Sequence, residues 1–211
     1  MEIIYYECLD STQKKLVELV REGKINSNTA IVTKKQTAGV GSRNNSWEAK
    51  EGDLLCSFAI KKEDLPEDLP ISSASIYFAF LMKEILNNYS QDCWLKWPND
   101  IYIKNKKCGG VITQLIKGRY IVGLGINLVE RENDFAFCSI KKSVKEVLNS
   151  YFMLLKKRVK WQEVFSKYRI EFKNNNEFLT TIKGRKIAIK CATLTSDGAL
   201  IIDNERIYSL R

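Results

Sequence analysis

Lys96-Trp97-Pro98-Asn99-Asp100 sets a cation, an aromatic face, an amide and a carboxylate side by side in the chain. Such groups together suit a nucleotide and its metal. Pro-Asn-Asp is also a sound turn in its own right, but a turn does not require the tryptophan and lysine before it. Next comes Lys107-Cys108-Gly109-Gly110-Val111, a lysine entering a strand whose paired glycines, Gly109 and Gly110, let a ligand lie against the backbone. A lysine so placed can hold a carboxylate and a phosphate together. The alternative is a solvated hairpin tip, because Lys104 and Lys106 cluster beside Lys107.

Gln36-Thr37-Ala38-Gly39-Val40-Gly41-Ser42-Arg43-Asn44-Asn45-Ser46-Trp47 is a glycine- and asparagine-rich stretch. Gly39 and Gly41 permit close backbone approach, the N–H groups around Val40 and Ser42 could cradle an anion, and Arg43 adds a fixed positive charge. A flexible hairpin connection accounts for the same residues without any ligand. Ser11-Thr12-Gln13 reads first as a helix cap and opening turn, although a helix N-terminus also receives anions or ureido-type polar groups. Gly123-Leu124-Gly125-Ile126-Asn127 is a weak G-x-G element, with nothing after it that resembles the helix of a dinucleotide fold.

Composition removes whole classes of mechanism. The 211 residues include no histidine, which excludes imidazole bases and histidine-bound metals. The six cysteines, at 8, 56, 93, 108, 138 and 191, contain no C-x-x-C pair, so their spacing indicates neither a metal knuckle nor a redox dithiol. No metal ligands are assigned. The N-terminus lacks the basic flank and apolar run of a secretory signal, and no 18 apolar residues follow one another. A cytoplasmic protein without membrane contact is expected. Residues 1–100 carry 12 basic and 15 acidic side chains and residues 101–211 carry 22 and 10, so the basicity lies in the second half. Such a surface could attract nucleic acid, anionic lipid, phosphate ligands or an acidic protein, and charge alone does not choose among them.

These groups need elements to hold them. Alternation predicts a strand over Ile3–Tyr6, and Leu16, Val17, Leu19 and Val20 predict a helix stopping near Gly23. Strands are expected over Thr29–Thr33 and Leu54–Ile60, with a long loop over Gln36–Trp47 between them. The longest apolar helical stretch is Ile71–Tyr89. Cys93–Trp97, Ile101–Ile103, Gly110–Ile116 and Tyr120–Leu128 read as strands whose short connections favour antiparallel pairing. Helices follow from Ser143 to about Val159 and from Trp161, and the tail reverts to strands over Lys186–Thr195, Ala199–Ile202 and Ile207–Leu210. The expectation is an α+β fold, with a main unit over 1–175 and a small β module over 176–211.

Taken together, in this order and spacing, the quoted stretches resemble the biotin protein ligases over essentially the whole chain. Asp197-Gly198-Ala199-Leu200 through Tyr208-Ser209-Leu210-Arg211 resembles that family's ending. The resemblance implies a mixed, largely antiparallel sheet backed by helices, related to class II aminoacyl-tRNA synthetases, and a small C-terminal SH3-like barrel. It implies joining of biotin to ATP as biotinyl-5′-adenylate with Mg²⁺, then transfer to a lysine of the biotin carboxyl carrier protein of acetyl-CoA carboxylase. By the same resemblance Ser11, Thr12, Gln13 and Gln36 bind biotin's ring end, with Gly39, Val40, Gly41 and Ser42 lining it. Lys107 reaches the carboxylate, beside Gly109 and Gly110, while Trp47, Asn99 and Asn127 face the nucleotide. Lys96 neutralises phosphate, and Asp100 positions the metal or helps the incoming lysine.

Two departures stand out. The family loop commonly reads G-R-G-R-x-G-R-x-W, whereas here Val40, Ser42 and Asn45 replace arginines and only Arg43 remains, one place displaced. No DNA-reading helix precedes Asp10-Ser11-Thr12, so no DNA binding is expected. A homodimer through sheet edges is possible on general grounds. The nearest alternative, a lipoate or octanoate ligase or transferase, usually shows an R-R-x-S-G-G-G stretch that is absent here. If Arg43 takes over the phosphate contact, Arg43→Ala should slow formation of the acyl-adenylate, measured by pyrophosphate exchange. An unchanged rate would remove Arg43 from that role.

Overall fold

A computed structural model describes residues 1–42, 45–89, 91–132, 134–182 and 185–208. Seven strands form the main sheet: β1 (Glu2–Leu9), β2 (Thr29–Gln36), β5 (Leu54–Lys61), β6 (Cys93–Lys96), β7 (Asp100–Ile103), β8 (Lys106–Ile116) and β9 (Arg119–Ile126). Their spatial order is β1-β2-β5-β9-β8-β7-β6. The short turns joining β6 to β9 produce an antiparallel meander, as their lengths require. The exception is β1 with β2, which pair in parallel because helix α1 (Thr12–Arg21) carries the chain back between them. Between β2 and β5 the expected loop folds into a two-residue hairpin, β3 (Gly39–Val40) with β4 (Ser46–Trp47). Arg43 and Asn44 lie outside the described residues.

Alternation sorts the central strands onto two faces. Ala30, Val32, Phe58, Ile60, Tyr120 and Val122 face the large core, while Ile31, Ala59 and Ile121 join Leu16 and Val20 of α1 on the other side. A strand covered on both sides is apolar at nearly every position, which explains the run from Leu54 to Ile60, interrupted only by Ser57. Helix α2 (Ala74–Asn87) lies across the large-core face, buried over nearly its whole length, with α3 (Val144–Lys156) and α4 (Trp161–Glu171) packed against it. Phe58 meets Phe78, Tyr151 and Phe152 edge-on at centroid separations of 5.5–5.8 Å. Inside this layer Lys83 is only 5% exposed, paired with Glu84 at 2.8 Å and Glu171 at 2.9 Å. Burial raises the Glu171 carboxyl above its ordinary value despite that lysine.

Local signals explain the ends. Ser11 caps α1 by accepting from the Lys14 N–H, and Ser143 with Glu146 forms a reciprocal capping box on α3. The tail departs from expectation. Lys186–Thr195 is not one strand but β11 (Arg185–Ala188), a 3₁₀ turn at Ile189–Cys191 and β12 (Thr193–Leu194). That turn buries Ile189 completely and carries the chain from β11, which pairs with β10 (Leu179–Ile182), to β12, which pairs with β13 (Leu200–Ile202). The last strand, β14, covers Glu205–Ile207, and residues 209 and 210 of the expected strand lie outside the described residues. Leu200 and Ile202 complete the large core.

Asn175, fully buried, fastens this tail to the sheet. Its Oδ1 accepts from the Trp97 N–H at 2.8 Å and its Nδ2 donates to the Phe172 carbonyl at 3.0 Å, while the Trp97 indole donates to the Gly198 carbonyl at 2.9 Å. Asn175→Ala would leave the buried Trp97 N–H unpaired, at a cost of about 2–3 kcal/mol. Urea unfolding should show that loss.

Candidate functional site

The small-core face of the sheet is where the candidate residues gather. Its central strands carry Ser57, Gly123 and Gly125 at positions aligned with Ala59 and Ile121, so the face that α1 covers further along is bare of large side chains here. The glycines are required by neighbours rather than by backbone angle. A Cβ on Gly125 would come within 2.5 Å of the Trp47 ring, and one on Gly123 within 2.8 Å of Gln13 Oε1 and 2.9 Å of Ile112. The result is a cleft floored by β5, β8 and β9.

Ser11, Thr12, Gln13, Gln36, Val40, Gly41, Ser42, Trp47, Asn99, Asp100, Lys107 and Gly110 all line it. At one end Gln36 Oε1 accepts from the Thr12 N–H at 2.8 Å and from its hydroxyl at 3.1 Å, and that hydroxyl lies 2.9 Å from Ser57 Oγ. At the other end Lys107 Nζ sits 2.7 Å from Asp100 Oδ1 as an ion pair without hydrogen-bond alignment, 5.5 Å from the centre of a Trp47 ring. Its aliphatic stem passes over Gly110, where a Cβ would stand 3.4 Å from it. Asn99 is held by its Nδ2 donating to the Val111 carbonyl at 2.6 Å.

A second cleft opens beyond Trp47 and Lys107, which line both. It adds Glu48, Asn127, Arg131 and Phe135. Asn127 is fixed by Nδ2 donating to the Ala136 carbonyl at 2.9 Å. Arg131 is almost wholly buried and paired with Asp53, whose carboxylate also accepts from the N–H groups of Lys50, Leu128 and Val129. The guanidinium is held in place there, with its charge offset by the buried carboxylate.

Gln13 Oε1, Trp47 Nε1 and Asn99 Oδ1 are buried side-chain atoms without a hydrogen-bond partner, and all three residues line the first cleft. Buried polar groups are normally satisfied, so this concentration of unmet donors and acceptors points to a ligand. The arrangement can hold a small, partly polar molecule by amide and hydroxyl groups at one end. It presents Lys107 at the mouth, where a second, anionic molecule would meet the first.

Three expected residues stand elsewhere. Lys96 lines neither cleft: its Nζ lies 5.4 Å from the Tyr102 ring centre and 5.5 Å from that of Phe178, on the outer hairpin of the sheet. Gly109 faces Ile126, where a Cβ would clash at 2.6 Å, so its lack of a side chain serves strand packing. Gly39 lies behind the first cleft, against the Trp47 carbonyl. Conversely Ser57, Asp53, Arg131 and Phe135 were not anticipated. Ser57 could have been noticed as the single hydroxyl inside an apolar strand, whereas the Asp53–Arg131 pairing leaves no local pattern.

The family model of the biotin/lipoate A/B protein ligase family matches residues 5–129. The bifunctional ligase/repressor BirA of Bacillus subtilis is 31% identical over 138 residues, covering 63% of this chain and 42% of that protein. Its namesake in Escherichia coli is 29% identical over 130 residues, covering 58% and 39%. The chain thus matches less than half the length of these relatives. Among solved structures, biotin acetyl coenzyme A carboxylase synthetase from Helicobacter pylori with bound biotinylated ATP superposes with a TM-score of 0.94 at 34% identity, covering 98% of this chain and 99% of that one. Biotin protein ligase from Aquifex aeolicus in complex with biotin and ATP gives 0.79 at 26%, covering 100% and 96%.

Gly125→Ala should lever the Trp47 ring off the floor of the cleft. Iodide quenching of tryptophan fluorescence should rise relative to the parent protein, and the difference should vanish in a Trp47→Phe background.

Proposed function

The chain belongs to the biotin/lipoate A/B protein ligase family, and from that premise we propose that it is an ATP-dependent biotin protein ligase. The observation that carries this reading is the pair of clefts meeting at Trp47 and Lys107, one with unmet polar groups for a small acid and one lined by fixed cationic and aromatic groups for a nucleotide. On this reading biotin's ring end lies against Thr12, Gln13, Gln36 and Ser57, with Ser11 capping the helix behind them. Its carboxylate reaches Lys107.

A carboxylate oxygen of biotin attacks the α-phosphorus of ATP, the bond to the bridging oxygen breaks, and pyrophosphate leaves. Two anions must approach within bonding distance for that step, and Lys107 offsets their repulsion by exchanging Asp100 for the incoming oxygens. Arg131, Asn127 and Trp47 would hold the nucleotide. The phosphate role expected of Lys96 passes to Lys107, and Arg43 remains a candidate outside the described residues. The amine of a carrier lysine then attacks the acyl carbon, and AMP departs.

Mg²⁺ fits the donor set in its usual manner, one or two carboxylates plus substrate phosphates, with Asp100 and Glu48 as the carboxylates lining the clefts. When bound it would supply neutralising charge to the phosphates. Asp100, once parted from Lys107, is also the group nearest to accept a proton from the incoming amine.

The carrier is read as the biotin carboxyl carrier domain of acetyl-CoA carboxylase, an acidic partner suited to the basic second half of the chain. Residues 176–211 are read as the family's small SH3-like barrel, supported by the antiparallel pairs β10–β11 and β12–β13–β14. Among the described residues no helix is long and apolar enough to cross a membrane, and all six cysteines are free, which suits a reducing cytoplasm.

Exchange of labelled pyrophosphate into ATP should require biotin and fail with lipoate, octanoate or no acid. Exchange with lipoate instead would move the chain to the sister activity, and silence with every acid would overturn the reading. Lys107→Ala should lower biotin-dependent exchange about 10²–10³-fold with little change in unfolding midpoint. Equal losses of stability and activity would make Lys107 structural.

A further inference from the structure

Cysteines that are scattered in the sequence meet in the fold. Cys93 opens the edge strand β6, Cys108 lies in β8, and Cys138 sits in the irregular stretch between β9 and α3. Their three sulfurs lie within 4.8 Å of one another, and the residues are 4%, 0% and 0% exposed. Wide sequence spacing had argued against any metal cluster, but the chain crossings at β6 and β8 close the distance that the sequence leaves open.

From this geometry we propose that Cys93, Cys108 and Cys138 form a three-thiolate site for a soft, thiophilic cation of the Cu(I) class. A metal–sulfur bond of about 2.3 Å holds the sulfurs of one ion roughly 3.8–4.0 Å apart, so the trio needs to close by no more than about 1 Å. The donor set selects the ion. All three ligands are soft sulfur, the chain has no histidine, and among the described residues no carboxylate joins the group. Soft thiolates favour Cu(I), whereas structural zinc takes four protein ligands and finds only three here. Each ligating thiol gives its proton to solvent as the ion enters, and no electron is transferred.

The site is distinct from the substrate clefts, because its sulfurs belong to the large core on the other side of the sheet. It nevertheless borders them through the backbone. The Cys138 N–H donates to the Asn127 carbonyl at 2.8 Å, the Asn127 N–H to the Cys108 carbonyl at 2.8 Å, and the Ala136 N–H to the Lys107 carbonyl at 2.9 Å. A bound ion would therefore clip the stretch before α3 onto β6 and β8, directly behind Lys107 and Asn127, and stabilise the folded chain.

The test uses the full chain with its two exposed thiols removed, Cys8→Ser with Cys191→Ser. Titrated anaerobically with Cu(I) against a chromophoric Cu(I) chelator, this protein should withhold one equivalent and melt at a higher temperature. Cys138→Ala in the same background, shown to fold by circular dichroism, should bind about ten-fold more weakly or worse and lose the thermal gain. If that variant does not fold, Cys93→Ala at the sheet edge serves the same comparison. Failure of the parent to withhold Cu(I), or undiminished binding when either ligand is removed, would overturn the site. Displacement of Cu(I) by equimolar Zn²⁺ would overturn its soft-cation character.

Discussion

The structure depends on a mismatch between a short helix and the longer strands beneath it. Helix α1, with ten residues, is about 15 Å long, while β5 and β9, with eight residues each, run about 26 Å. One face of β5, β8 and β9 is therefore covered only in part. Where α1 packs, the strands present Ile31, Ala59 and Ile121 to Leu16 and Val20. Where it does not, they present Ser57, Gly123 and Gly125, and a cleft follows. The other face has no such gap, since α2, α3 and α4 seal it with large aromatic and aliphatic side chains.

That asymmetry gives the molecule a rigid floor under a polar opening. The floor strands are backed by the large core, so the glycine backbone cannot shift to fill the cleft without disturbing that core. Around the opening, polar groups are fixed by backbone partners on one side and left unmet on the other: Asn99 is tied through Nδ2 to Val111 while its Oδ1 has no partner. Lys107 and Asp100 neutralise one another at the mouth. An ion pair of this exposure contributes little to stability, which makes it easy to exchange for substrate oxygens. By contrast the Asp53–Arg131 pair is fully buried and multiply hydrogen-bonded, and it belongs to the framework.

Much of this was readable from residue order. The Ser11 cap, the apolar run of β5, the long helix α2 and the antiparallel meander were each anticipated from local chemistry, and Lys107, Asp100, Asn99 and Trp47 do converge on one cleft. Errors arose where a local signal has two explanations. Lys96 shares a motif with Asn99 and Asp100, but a lysine stem can lean along the sheet, and here it leans toward Tyr102 and Phe178. Gly109 shares a motif with Gly110, but successive strand residues face opposite sides, and of the two only Gly110 lines the cleft.

By itself the sequence determined which strands are apolar, where helices begin and which side chains carry charge, because capping, alternation and side-chain chemistry act over a few residues. Only the tertiary structure decided which of those residues meet. The parallel β1–β2 pairing, the Ser57 hydroxyl beside Thr12, the Asp53–Arg131 pair and the three-sulfur cluster each join positions far apart in the chain. Such contacts are set by how strands are ordered in the sheet and by what covers each face, and no local pattern of residues encodes that order.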